Sequence, residues 1–297
     1  RAAADLEERL ATVERRFENA AALFCLTSDA AMAMRESGKV DQVTRIEADA
    51  ALLGDDGIVA ATETLPSEPG SHDLIVSLLS LHEANDVPGM LAQIRRALKP
   101  DGLFLGAMAG AGTLQELREA LLAAETEISE GAAPRVSPFA DVRDVGGLLQ
   151  RAGFALPVTD LENLTVRYDT MFDLMRDLRF MGATSALVAR SRKPATRALF
   201  MRAAQIYAER FSDPDGRIRA SFNIIWMSGW APHESQQKPL APGSANRPLK
   251  AMAMAMTAAS LLVGRGHFAR DVPIAGFELL SRLRRTDHDR QSDQACN

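Results

Sequence analysis

Little in this chain points to nucleic acid, a metal or a bilayer. Aromatic residues make up only 5% of it, and its 34 Lys+Arg are outnumbered by 39 Asp+Glu, a formal net charge of −5. Such a surface has no basic excess to neutralise phosphates and few rings to stack on bases. It has two cysteines, Cys25 and Cys296, near opposite ends. With no Cys-x-x-Cys pair and no Cys/His cluster, neither a structural zinc nor a disulfide framework is supported, and a reducing compartment fits better. No apolar run reaches the roughly 18–20 residues that span a bilayer; Ala251 to Val263 is apolar but too short. Asp5, Glu7 and Glu8 read against a transit peptide in the first residues. No glycine falls between Asn19 and Gly38, and no internal repeat is visible.

What remains is ordinary globular material. Hydrophobic residues make up 46% and charged residues 25% of 297, enough for one large domain or two small ones. Asp5 to Asn19 reads as a helix, because Leu6, Leu10, Val13 and Phe17 recur at three- and four-residue steps. Ala21 to Leu26 has the length of a buried strand, and Ala30 to Ser37 is a helix closed by Gly38. Strands are expected at 43–47, 57–61 and 74–79, the last nearly all apolar as in a strand covered on both faces. Pro88 opens a helix to Leu98, Lys99 to Gly102 make a turn, and 103–108 is a fifth strand. This alternation predicts an α/β fold with a mostly parallel sheet and helices on both faces.

Beyond Gly110 the rhythm changes. Helices are expected at 113–130, with Thr113 and Glu116 as a capping box, and at 141–152, 171–181 and 194–211. Residues 156–168 read as extended and 218–227 as a strand. Four prolines from Pro232 to Pro248 mark a loop, so a main domain over 1–245 is expected. A C-terminal extension, 246–297, follows with a short Ala/Met helix over 249–263 and a polar end expected to be disordered.

Several strings resemble a known family. Leu98-Lys99-Pro100-Asp101-Gly102-Leu103-Phe104-Leu105 resembles the turn before the fifth strand of class I S-adenosylmethionine (SAM) methyltransferases, and His72 to Ser77 resembles their fourth strand. Thr62 to Pro66 resembles the acidic segment after the third. More specific are Ser80 to Gly89, Arg135-Val136-Ser137-Pro138-Phe139 with Asp141 to Asp144, and above all Gly229-Trp230-Ala231-Pro232-His233-Glu234-Ser235-Gln236-Gln237-Lys238-Pro239. Together they resemble the methyltransferase-fold family of the mitochondrial complex I assembly factor and its alphaproteobacterial relatives, over roughly Asp5 to Ala245. The malonyl-carrier methyltransferase of biotin synthesis is a more distant likeness. The resemblance implies a Rossmann-like, seven-stranded class I fold, SAM as cofactor, and a link to hydroxylation of an arginine on a complex I subunit.

The residues themselves fit that chemistry unevenly. A nucleoside site of this type needs a glycine-rich turn after the first strand, a helix N-terminus and an acid closing the second strand. Here the turn reads Cys25-Leu26-Thr27-Ser28-Asp29. Side chains crowd where backbone should approach a ligand, and positive φ would be strained. Lost or weakened SAM binding is therefore expected. Thr27 and Ser28 sit at the turn and read equally as helix caps. Glu47 and Asp49 are candidate ribose acceptors or plain loop carboxylates, and Glu63 an adenine-side contact or a surface charge. Ser80 and His82 follow the fourth strand, where ligands bind in open α/β sheets. His82 is the candidate catalytic residue, as general base or substrate contact, or else a structural hydrogen-bonding histidine. Arg135 and Arg143 would hold a carboxylate or stabilise the fold. Trp230, His233, Glu234, Gln236 and Gln237 make a polar-aromatic loop that reads as a partner or substrate contact, or as turn chemistry. No metal site is visible.

Three functions remain open at this level. The chain is an assembly factor or accessory subunit of respiratory complex I with a degenerate SAM site, an active SAM-fold enzyme hydroxylating or methylating an arginine, or a small-molecule methyltransferase. The glycine-free turn weighs most against the third. A respiratory-complex subunit is the expected partner, and the bacterial cytoplasm or mitochondrial matrix the expected place.

Overall fold

The computed structural model describes residues 1–54, 57–128, 133–188, 190 and 194–237. Its seven strands are β1 (Phe17–Leu23), β2 (Val40–Glu47), β3 (Ile58–Val59), β4 (His72–Leu78), β5 (Leu98–Ala109), β6 (Ala155–Tyr168) and β7 (Ile218–Trp230). They form one sheet in the order β3-β2-β1-β4-β5-β7-β6. The first five strands run parallel, and β7 inserts antiparallel between β5 and β6. The expected seven-stranded, mostly parallel sheet is thus present.

Alternation along the strands explains why both faces are covered. Ala21, Leu23, Ile75 and Phe104 face one core with α4 (Val87–Ala97) and α6 (Val142–Arg151). Ala20, Ala22, Leu74, Val76 and Trp226 face the other, against α1 (Ala2–Ala11) and α2 (Asp29–Glu36). Leu74, Ile75 and Val76 are wholly buried, and each contributes about 1.5–3 kcal/mol of apolar burial. A third cluster joins α5 (Gln115–Ile128), α7 (Met171–Phe180) and α8 (Arg197–Phe211) to the start of β7. The remaining helix, α3 (Ala50–Leu53), is one turn long.

Several local expectations need correction. The helix expected over 5–19 ends at Ala11, and Phe17 begins β1. Phe17 is fully buried in the α1–α2 core, so its helical spacing from Leu10 was a coincidence of two elements sharing one core. The first strand accordingly ends at Leu23, which moves Phe24 into the turn. Lys99 to Gly102 belong to β5, as an irregularity where the β4 pairing shifts register between His72 and Leu74 and Asp101 takes φ +63°. The capping box does not form. The Thr113 hydroxyl pairs with the Asn223 backbone, and the Glu116 carboxylate accepts from the Ser221 amide at 3.1 Å and from its hydroxyl. Strand β7 competes for those side chains and wins. Other starts and stops follow local rules: Asp86, Thr170 and Thr196 accept N-cap bonds at α4, α7 and α8, and Gly38 closes α2 at φ +64°. The 245/246 boundary and the helix at 249–263 lie outside the described residues.

Candidate functional site at the carboxyl edge

Loops leaving β1, β2 and β4 at the carboxyl edge of the sheet bring together most of the residues expected to hold a nucleoside. After β1, Phe24 and Leu26 both take left-handed backbone, at φ +48° and +64°. That region suits glycine and costs other residues roughly 1–2 kcal/mol. It is the backbone that a glycine-rich turn provides, reached here with a phenyl and an isobutyl group attached. Leu26 remains 39% exposed, while Phe24 packs against the α4–α6 core.

Glu47 closes β2 and is fully buried. Its two carboxylate oxygens accept from the turn itself: Oε1 from the Cys25 amide at 3.1 Å and Oε2 from the Leu26 amide at 3.3 Å. Arg45 Nη2 stands 3.8 Å from Oε1. That guanidinium is in turn held by the carbonyls of Leu52 and Leu53. Burial pushes the Glu47 carboxyl above its ordinary value of 4.5, outweighing the two amides and Arg45. Cys25 is a free, buried thiol pushed up to about 12 by burial, which withholds thiolate chemistry from it.

The neighbouring candidates are engaged in structural bonds. Ser28 precedes α2 in helical backbone and makes no cap bond, and Thr27 Oγ1 accepts only a long bond from the Asp29 amide at 3.4 Å. Expected capping by these side chains is therefore weak. Asp49 caps α3 through the Ala51 amide at 2.9 Å. Glu63, at φ +65°, accepts from the backbone and side chain of Asn85, tying the loop after β3 to the loop after β4. Ser80 shares a hydroxyl contact of 3.3 Å with Ser77.

His82 sits in a short turn after β4, Leu81–Glu83. Its Nδ1 accepts from the Ala109 amide at 3.4 Å and its ring leans on Phe139 at 5.9 Å. Acceptance at Nδ1 puts the proton of the neutral ring on Nε2. Burial holds the imidazole below its ordinary range, so at neutral pH it is an uncharged hydrogen-bonding group.

Other candidates lie elsewhere. Arg135 forms a two-pronged pair with Glu125, at 2.6 and 3.2 Å, which holds that carboxyl below the usual range. Arg143 is exposed on α6. Trp230 pairs with Leu103 across β7 and β5, at the amino edge of the parallel strands, the end of the sheet away from His82. There Gln236 Nε2 donates to Asp101 Oδ1 and to the Ala231 carbonyl, both at 2.8 Å. Arg15 Nη1 donates to the same Asp101 carboxylate at 2.6 Å. His233 turns back on Ser235 at 2.7 Å, and Glu234 and Gln237 are exposed. The loop is thus a built corner that shares nothing with the carboxyl edge. Phe24 and Arg45 were missed by sequence reading. The missing glycine was the available signal for Phe24; nothing local marked Arg45. No group of three or more metal-ligating side chains occurs among the described residues, and no described helix is long and apolar enough to cross a membrane.

Known proteins match this geometry. Residues 15–106, spanning β1 to most of β5, match the family model described as a methyltransferase domain. Proteins named mitochondrial arginine-hydroxylase NDUFAF5 are 46% identical over 189 residues in Homo sapiens and 45% over 190 in Danio rerio. The chain has the methyltransferase fold and is similar to these NDUFAF5 proteins over that stretch. The matched part is 63% and 64% of this chain and 54% and 59% of theirs, so the chain spans little more than half the length of those relatives. A malonyl-[acyl-carrier protein] O-methyltransferase of Laribacter hongkongensis is 35% identical over 63% of the chain and 60% of its own. Among solved structures, a Bacillus halodurans protein described as a methyltransferase aligns over 78% of this chain and 99% of its own, with TM-score 0.51 and 15% identity. That likeness is one of fold.

Proposed function

We propose that this chain is a methyltransferase-fold assembly factor or accessory subunit of respiratory complex I, or of a related respiratory assembly, whose SAM site is degenerate. The NDUFAF5 relatives support the setting, and one observation supports the loss. Glu47, the acid expected to meet ribose hydroxyls, spends both oxygens on the Cys25 and Leu26 amides. The turn above it carries side chains at both left-handed positions. A nucleoside in the usual pose needs that acid free and that backbone bare, and these residues do not fit it. On this reading the protein partner is a respiratory-complex subunit, met in the mitochondrial matrix or bacterial cytoplasm, and His82 is structural.

Calorimetric titration with SAM and with its demethylated product tests the reading. Binding weaker than about 10 μM is expected; tighter binding returns the chain to the enzymes. The alternative, an active SAM-fold enzyme modifying an arginine, is favoured by the arginine-hydroxylase name of the relatives at 46% identity. It assigns His82 to catalysis or substrate contact and Ser80 to the cofactor.

A further inference from the structure

The sheet face under α1 carries a different chemistry. Arg9 of α1 lays its guanidinium over the indole of Trp226, with Cζ 4.4 Å from the ring centroid. Its Nη2 donates to Asp160 Oδ2 at 3.0 Å. An aromatic face below and a carboxylate at the edge are the two features that recognise a planar guanidinium. This pair lines a surface cavity of about 170 Å³ with apolar walls from Leu105, Val158 and Trp230. A second cavity, of about 520 Å³, shares Arg9, Thr12 and Asp160 with the first. Asp5, Glu8, Asp160 and Glu162 line it with Arg9; Arg1 pairs with Glu162 at 2.5 Å, and the Trp226 indole donates to the same carboxylate at 3.3 Å. Asp5 Oδ2 is buried without a hydrogen-bond donor, Arg1 Nε standing 3.9 Å off. With four carboxylates facing two guanidiniums, the groove keeps an acidic excess.

Strand β6 forms one wall of the groove and is the last strand of the sheet. Its Val158, Asp160 and Glu162 line the two cavities, so its outer backbone edge runs beside the acidic groove. Such an edge can pair with an extended segment.

We propose that this groove binds an arginine side chain from an extended, basic segment of a protein partner, and that Arg9 is the in-chain guanidinium that fills the place in the partner's absence. Charge complementarity selects a basic occupant, and the indole–carboxylate pair selects arginine over lysine. The proposal rests on the partner-binding reading above and names the partner's chemistry. It is independent of whether the carboxyl edge holds a nucleoside.

Both tryptophans of the chain, Trp226 and Trp230, line this groove, so intrinsic fluorescence reports on it directly. The full chain and its Arg9→Gln variant are titrated with an acetylated, amidated pentapeptide of alternating valine and arginine. The same peptide with citrulline in place of arginine is the comparison. The variant is expected to bind the arginine peptide about tenfold more tightly than the unsubstituted chain, and the citrulline peptide about tenfold more weakly than the arginine one. Asp160→Asn is expected to erase that discrimination. Equal response to the two peptides, or no saturation in Arg9→Gln below about 1 mM, overturns the proposal. If Arg9→Gln loses cooperative unfolding, Arg9→Lys, which keeps the charge without the planar fork, carries the same comparison. A variant that dimerises on size exclusion gives the groove to a second copy and overturns the partner assignment. Tight SAM binding with intact peptide binding refutes the degenerate-site reading alone; absent peptide binding refutes only this surface.

Discussion

Glu47 Oε2 accepts from the Leu26 amide at 3.3 Å, and Leu26 holds that amide in place with its backbone at φ +64°. Acid and turn are therefore one object. Glu47→Gln leaves an amide with one oxygen where two acceptors stood, and is expected to cost about 1–3 kcal/mol in urea unfolding. Burial raises the folded-state pKa above the ordinary 4.5. The proton is thus held more tightly in the folded chain, and this contribution to stability is full below pH 4.5 and fades as pH rises through the folded value. The advantage of the unsubstituted chain over Glu47→Gln should shrink from pH 4.5 upward. A constant difference across that range contradicts the assignment.

Leu26→Gly removes a left-handed penalty of about 1–2 kcal/mol and adds the backbone entropy cost of glycine, about 0.5–1 kcal/mol. Because Leu26 is only 39% exposed, the change also forfeits about 1–2 kcal/mol of apolar burial. A net loss of about 0.5–1 kcal/mol is expected from thermal unfolding. If crowding at this turn is what excludes a nucleoside, the double variant Phe24→Gly/Leu26→Gly should gain calorimetric binding of SAM's demethylated product. A double variant that folds and still binds none puts the exclusion on Glu47.

His82 is held neutral by burial. Its folded pKa lies below the ordinary 6.5, so its contribution to stability is present above pH 6.5 and lost as pH falls through the folded value. Replacing it with Gln should flatten the acid limb of the stability profile without abolishing it, because burial also lowers His72. Imidazole proton resonances assigned by the two single variants check this. A His82 resonance titrating at or above 6.5 refutes it.

Arg135→Ala leaves the Glu125 carboxylate with the Ala133 amide, at 3.2 Å, as its remaining partner. A loss of about 1–3 kcal/mol is expected, with Arg135→Lys intermediate because it cannot reproduce the two-pronged fork. Equal stability of the three chains in denaturant melts assigns Arg135 to a partner instead.

The sheet was legible because strand burial writes itself as apolar runs: Leu74 to Leu79 announced β4, and the turn strings announced β5. The amino edge of β1 was not, since Phe17 serves the same core from a strand that Leu10 serves from a helix. Absence of glycine drew attention to the turn where Phe24 and Leu26 take left-handed backbone, yet it gave no hint that Glu47 would fold back onto that turn. That bond joins residues more than twenty positions apart, and the nearby Arg45 is held mainly by the carbonyls of Leu52 and Leu53. Likewise, nothing local said how far His82 stands from the Trp230 loop. The antiparallel insertion of β7 sends them to opposite ends.

Asp101 receives Arg15 from the chain just before β1 and Gln236 from the chain just after β7. One carboxylate thus clasps the start of β1 and the end of β7, the first and last strands in chain order. Fraying at that corner is then a single event, in which the loss of one side chain frees the entry to β1 and the exit from β7 together.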